Sequence, residues 1–195
     1  MQRKGFTLIE ILIVIAIVAV LSAAIILALS PAEILRKSRD ATRIADLSTL
    51  NNALVRYLSD VNSPDLDGNW GGAQGCSAHA SSGMTGACNT GGRFATTSVN
   101  WVASSSLAID GTGWIPVDFT LISSGAPISS LPKDPTNDGT YFYAYAVDKG
   151  ALRYEINADM ESAKYRSGGS GDLEGNDGGN DNNLYEVGVD SGLDL

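Results

Sequence analysis

The chain has a single histidine, His79, and only two cysteines, Cys76 and Cys88, among its 195 residues. A structural zinc site takes four His or Cys ligands at recognised spacings, and this trio fits no familiar arrangement. The lone histidine lies in a stretch without a recognisable Ser or Cys nucleophile pattern, and no phosphate-cradling glycine motif occurs anywhere. These gaps leave hydrolytic and nucleotide-driven chemistry without a residue to carry them, so the expectation is that the protein is not an enzyme and requires no cofactor. Basic residues are also scarce: 13 Lys and Arg stand against 22 Asp and Glu, for a net charge of −9. That balance argues against a broad nucleic-acid-binding surface, and no direct nucleic-acid contact is expected.

What the chain does have is a long apolar run. From Phe6 to Leu29 only Thr7, Glu10 and Ser22 interrupt hydrophobic side chains over 24 residues. As a helix this segment is about 36 Å long, enough to cross a hydrocarbon core of ~30 Å. It exceeds the usual apolar part of a secretory signal, about 7 to 15 residues. Ala16, Ala19, Ala23, Ala24 and Ala28 give it narrow surfaces suited to close helix contact. Arg3 and Lys4 precede the run and, by the positive-inside rule, hold the N-terminus in the cytoplasm with the bulk of the chain outside. Glu10 stands out, because an ionised carboxylate in hydrocarbon is costly and usually has a partner and a function. The competing reading is interfacial placement one turn into the helix, where the positive end of the dipole favours a carboxylate.

The residues Lys4-Gly5-Phe6-Thr7-Leu8-Ile9-Glu10, followed by this run, resemble the class III signal of type IV pilins and type II secretion pseudopilins. The resemblance implies cleavage between Gly5 and Phe6 by the prepilin peptidase and N-methylation of Phe6. It also implies that Glu10 pairs with the terminal amine of a neighbouring subunit, which lets two groups costly in apolar surroundings neutralise one another only between chains. The implied partners are further copies in a helical filament, an inner-membrane platform protein, an assembly ATPase and the membrane itself. The implied location is a single-pass inner-membrane precursor, then an extracellular pilus or a periplasmic pseudopilus. The function so implied is a structural subunit of a type IV pilus-like filament. A major pseudopilin of a type II secretion system is the alternative within the family, and a non-polymerising anchored binding protein is the alternative outside it. Loss of Arg3 and Lys4 with the leader would take the net charge from −9 to −11.

Beyond the run, Ser30-Pro31 predicts a kink or local break. Ile34, Ala41, Ile44, Leu47, Leu50, Leu54, Leu58 and Val61 then recur at helical spacing up to Asn62-Ser63-Pro64. Arg36, Lys37, Arg39 and Arg43 form a local basic cluster there. The Gly- and Ser-rich stretch that follows reads as a long connecting loop. In an oxidising compartment a Cys76–Cys88 bridge would stabilise that loop, and two free thiols are the competing reading. Tyr141, Tyr143, Tyr145 and Val147 alternate, Asp148-Lys149-Gly150 supplies turn chemistry, and Leu152, Tyr154 and Ile156 alternate on the return. This is a hairpin whose tyrosine row packs on the helix, and a last strand is expected over 184–189. The stretch from Leu131 to Tyr145 with Tyr154-Glu155-Ile156 is similar to the C-terminal part of major pseudopilins, which implies a calcium loop after the hairpin. Asp172, Asp177 and Asp181 are its candidate ligands, and calcium the candidate ion; a solvated acidic loop is the competing reading.

The expected fold is α+β and pilin-like, a long N-terminal helix on a small antiparallel sheet. Its expected parts are a leader over 1–5, a membrane or filament-core helix over 6–29 and an amphipathic continuation over 30–62. A connecting loop over 63–113 and a sheet region with an acidic loop over 114–195 complete it.

Overall fold

The computed structural model describes residues 5–68, 74–95 and 101–195, with backbone alone at 26–29. Met1 to Lys4, which carry the leader's charge, lie outside the described residues, as do 69–73 and 96–100 of the expected loop. The chain divides into two compact units, Met1–Arg36 and Lys37–Leu195.

In the first unit, helix α1 (Leu8–Leu29) begins at Thr7, whose side chain accepts from the Glu10 N–H. The helix stops where the sequence predicts a break. Ser30 adopts a left-handed conformation at φ +41°, and helix α2 (Pro31–Asp60) opens on Pro31. Proline has no N–H to continue the preceding ladder but is preorganised for a first helical position. The Ser30 carbonyl accepts from the N–H groups of Glu33 and Ile34 instead.

The second unit holds the rest of α2 and a five-stranded sheet of order β2-β1-β3-β4-β5. The strands are β1 (Gln74–His79), β2 (Trp101–Ser104), β3 (Ala144–Asp148), β4 (Arg153–Ala158) and β5 (Tyr185–Gly188). The pairs β1–β3, β3–β4 and β4–β5 are antiparallel, but β1 and β2 run parallel. The sheet is therefore mixed, a correction to the antiparallel expectation. The expected loop over 63–113 also needs correcting, because it contributes β1, an internal strand, and β2, an edge strand. A parallel pair needs a crossover rather than a tight turn, and the described residues 80–95 belong to it.

Tyr143, just before β3, Tyr145 and Val147 from β3, and Tyr154 and Ile156 from β4 share a core with Leu47, Leu50, Ala53, Leu54 and Tyr57 of α2. Each tyrosine ring is apolar cover and each hydroxyl finds a partner, as buried phenols require. Tyr143 donates to Asp46, Tyr154 to Asn51 and Tyr145 to the Leu66 carbonyl. Leu152, expected in the returning strand, instead occupies the turn at φ +52°.

The opposite face of the sheet is covered as well. Cys76, Ala78, Ala144 and Ala146 form a second core with Cys88, Phe94, Trp101, Phe142 and Leu195. Cys76 and Cys88 are disulfide-bonded across a Cα separation of 5.9 Å. The bridge thus fastens the crossover to an internal strand rather than merely closing a surface loop. Cys76→Ser is expected to cost about 3 kcal/mol in the chain-entropy account. For a unit of this size that corresponds to an unfolding midpoint lower by roughly 6–12 °C, readable in melts with and without reductant.

Candidate functional site

The residues expected from sequence to be processed lie open in the first unit. Gly5, Phe6 and Thr7 precede the first helical turn and are exposed, Phe6 at 83%. Among the described residues, a side chain at Gly5 would meet nothing within 4 Å.

Glu10 lies three residues beyond Thr7 and completes a capping box with it. The Thr7 N–H and hydroxyl both donate to Glu10 Oε2, at 2.8 and 2.9 Å, while the Glu10 N–H donates to Thr7 Oγ1 at 3.3 Å. The reciprocal bonds satisfy donors that a helix start otherwise leaves unpaired. Glu10 is itself exposed at the start of a helix whose apolar side chains, from Leu8 to Ile25, are exposed too. Within Leu8–Ile25 it is the single ionisable residue, and that segment is long and apolar enough to cross a bilayer.

In the second unit a charged cluster occupies part of the helix face expected to be apolar. Arg43 is fully buried. Its Nε and Nη2 donate to both oxygens of Asp134 at 2.6 and 2.9 Å, its Nη1 to Asp40 at 2.8 Å and its Nη2 to Glu161 at 2.6 Å. Asp40 in turn accepts from the N–H groups of Glu161 and Ser162, and Arg39 forms a second ion pair with Glu161. Hydrogen bonds from Arg39, then Arg43 and Thr136, outweigh burial and hold the Glu161 carboxyl down at about 2. The cluster fixes α2 to the segments around residues 134 and 161. Arg43, read from sequence as part of a local positive surface, belongs to the interior. The signal that locates it is spacing: positions 40, 43, 47, 50, 54 and 57 form one helical stripe, and all are buried.

The acidic loop does not converge. Asp172 accepts from the N–H groups of Gly168 and Gly175, Asp177 from Gly179 and Glu186, and Asp181 from Asn183. Burial raises the Asp177 carboxyl above its ordinary value. Among the described residues no group of three His, Cys, Asp or Glu side chains is placed to hold a metal ion. Cys76 and Cys88 are joined, and His79 caps a short 3-10 turn through Nδ1.

Residues 1–26 match the family model for the prokaryotic N-terminal methylation motif. No curated protein and no solved structure matches the chain. The match covers 26 of the 195 residues and supports, for that segment, a class III signal peptide of the kind carried by type IV pilins and pseudopilins, continuous with a helix long and apolar enough to cross a membrane. The similarity of the Leu131–Ile156 region to major pseudopilins gains nothing from these comparisons, whose match ends at residue 26.

Proposed function

We propose that the protein is the structural subunit of a type IV pilus-like filament. The precursor sits in the inner membrane with its leader in the cytoplasm. The prepilin peptidase cuts between Gly5 and Phe6 and methylates the new Phe6 amine. Subunits then pack through α1, fed by a platform protein and driven by an assembly ATPase. Glu10 sets the register by pairing with the terminal amine of a neighbour, an ion pair available only between chains.

The observation that carries this reading is the motif itself, continuous with an apolar helix whose lone carboxylate is the fifth residue after the expected cleavage. Intact-mass and N-terminal peptide analysis of material sheared from the cell surface tests the proposal. A chain beginning at methylated Phe6 in that fraction is the expected result. The same processed chain confined to the periplasm would favour the pseudopilus. A chain beginning at Met1, absent from sheared material, would overturn both in favour of an anchored binding protein.

A further inference from the structure

Glu155 on β4 and Glu186 on β5 are 1% and 2% exposed and sit on paired neighbouring strands. The β4–β5 register sets Asn157 opposite Glu186 and Gly188 opposite Glu155, so the two acids are diagonal neighbours on one face. Close backbone approach makes room for them. A Cβ at Gly179 would lie 2.0 Å from Glu186 Oε2, and one at Gly188 would lie 3.0 Å from the Glu155 Cα.

Each acid also holds a different segment of chain. Glu155 accepts from the Leu195 N–H and from Asn157 Nδ2, both at 3.2 Å. Glu186 accepts from the Asp181 N–H at 3.1 Å, and its own N–H donates to Asp177 at 2.6 Å. Leu195 is further held by its carbonyl, which accepts from the Ala95 N–H at 2.7 Å.

The charged groups around the pair do not neutralise it. Asp177 and Asp181 approach from the acidic loop and Asp194 from the terminal segment, all of the same sign. Arg93 lines the same cavity of about 240 Å³ as Glu155, but its Nη2 donates to the Thr140 carbonyl and its guanidinium lies over the Phe142 ring. Arg153, two residues from Glu155 on β4, is taken by Asp148 and Asp190. Among the described residues no cation comes within 4 Å of either glutamate. Two neighbouring buried carboxyls without a cation beside them cannot both ionise without a large penalty, whereas one proton shared between them turns repulsion into a bond.

We propose that Glu155 and Glu186 share one proton, and that this pair is a pH-dependent latch holding β5 and the segment around Leu195 on the sheet while the proton is bound. Burial, with the Glu186 charge second, raises the Glu155 carboxyl, and burial raises that of Glu186. Both shifts are upward, so the folded pair binds protons that the unfolded chain has already released above the ordinary glutamate value of 4.5. The stabilisation is complete below that value and is lost as the pH rises through the folded values. Opening exposes the free edge of β4.

Hydrogen exchange of the β5 amides in the full-length chain in detergent tests the latch, with each rate corrected for its intrinsic pH dependence. The opening constant is expected to rise up to about tenfold per pH unit across about pH 7 to 9, the slope of one linked proton, and to flatten below about pH 5. Glu155→Gln, uncharged but still able to hydrogen-bond, is expected to abolish that slope, and Glu186→Gln to do the same. An unchanged slope in both variants would overturn the proposal. Should either variant fail to fold, the wild-type infrared spectrum decides: a buried protonated-carboxyl band near neutral pH supports the latch, and its absence refutes it. Calcium chloride restoring closure at about pH 9 in the wild type alone would reassign the pair as a cation site.

Discussion

Replacing Glu10 by alanine is expected to leave the chain in the membrane and to abolish filaments. Removing a carboxylate from an apolar span favours insertion, so the helix should still enter the bilayer. Within one subunit the substitution costs only the capping box, about 1 kcal/mol. In the proposed assembly it costs far more, because each neighbour's terminal ammonium is left unpaired in apolar surroundings. The loss of one partner from a buried ion pair is about 3–5 kcal/mol, or roughly a hundredfold to several thousandfold in each subunit contact.

The capping geometry supplies a sharper comparison. A glutamine at the third helical position can still accept from the Thr7 N–H and hydroxyl, so Glu10→Gln keeps the cap and removes only the charge. Both variants are expected to be inserted and cut at Gly5, and neither to yield sheared filaments. Normal filaments from Glu10→Gln would show that Glu10 serves the helix start alone, and the proposed intersubunit pairing would be lost.

The features legible in the sequence are those that a single local rule dictates. The helix break at Ser30-Pro31 follows from a missing N–H, and the β3–β4 hairpin follows from tyrosines alternating on one buried face. The strands β1 and β2 were illegible for a related reason. A sheet covered on both sides loses its polar alternation, and Gln74-Gly75-Cys76-Ser77-Ala78-His79 fills the narrow space with small residues instead of β-branched ones. The same second cover hides Glu155. Set between Tyr154 and Ile156 it has the periodicity of an outward-facing polar residue, yet that outward face is closed by neighbours such as Phe94 and Leu195. Glu10 stands out in the sequence as the lone carboxylate of the apolar run, while its capping box with Thr7, three residues away on one helix, comes from the structure. Asp40 lies three residues from Arg43 on the same helix, but the contacts of Arg43 with Asp134 and Glu161 span 91 and 118 residues, and no local pattern specifies those two.

Arg43→Met is expected to be the most destabilising single change in the second unit. Methionine is unbranched and fits irregular core space, so little packing is lost. What is lost is the cation that Asp134 and Asp40 share, and one of the two that hold Glu161, which keeps Arg39. Leaving such carboxylates buried and unpaired costs about 3–5 kcal/mol, a fall in unfolding midpoint of roughly 6–20 °C. Arg43→Lys should recover only part of it, because an ammonium cannot reproduce the two-pronged bond to Asp134. Arg39→Ala should cost less than about 1 kcal/mol, since Arg39 is partly exposed and Glu161 keeps Arg43. The pH dependence separates orphaned charge from lost packing. In the wild type, Glu161 contributes fully above its ordinary value of 4.5 and loses that contribution as the pH falls toward about 2. In Arg43→Met the unpaired carboxylates are relieved by protonation, so the variant gains stability over the range in which the wild type begins to lose it. The gap between the two melting curves should therefore narrow steadily from about pH 7 to about pH 4. A gap independent of pH would mean that Arg43 acts by filling space, and that the cluster is not held together by its charges.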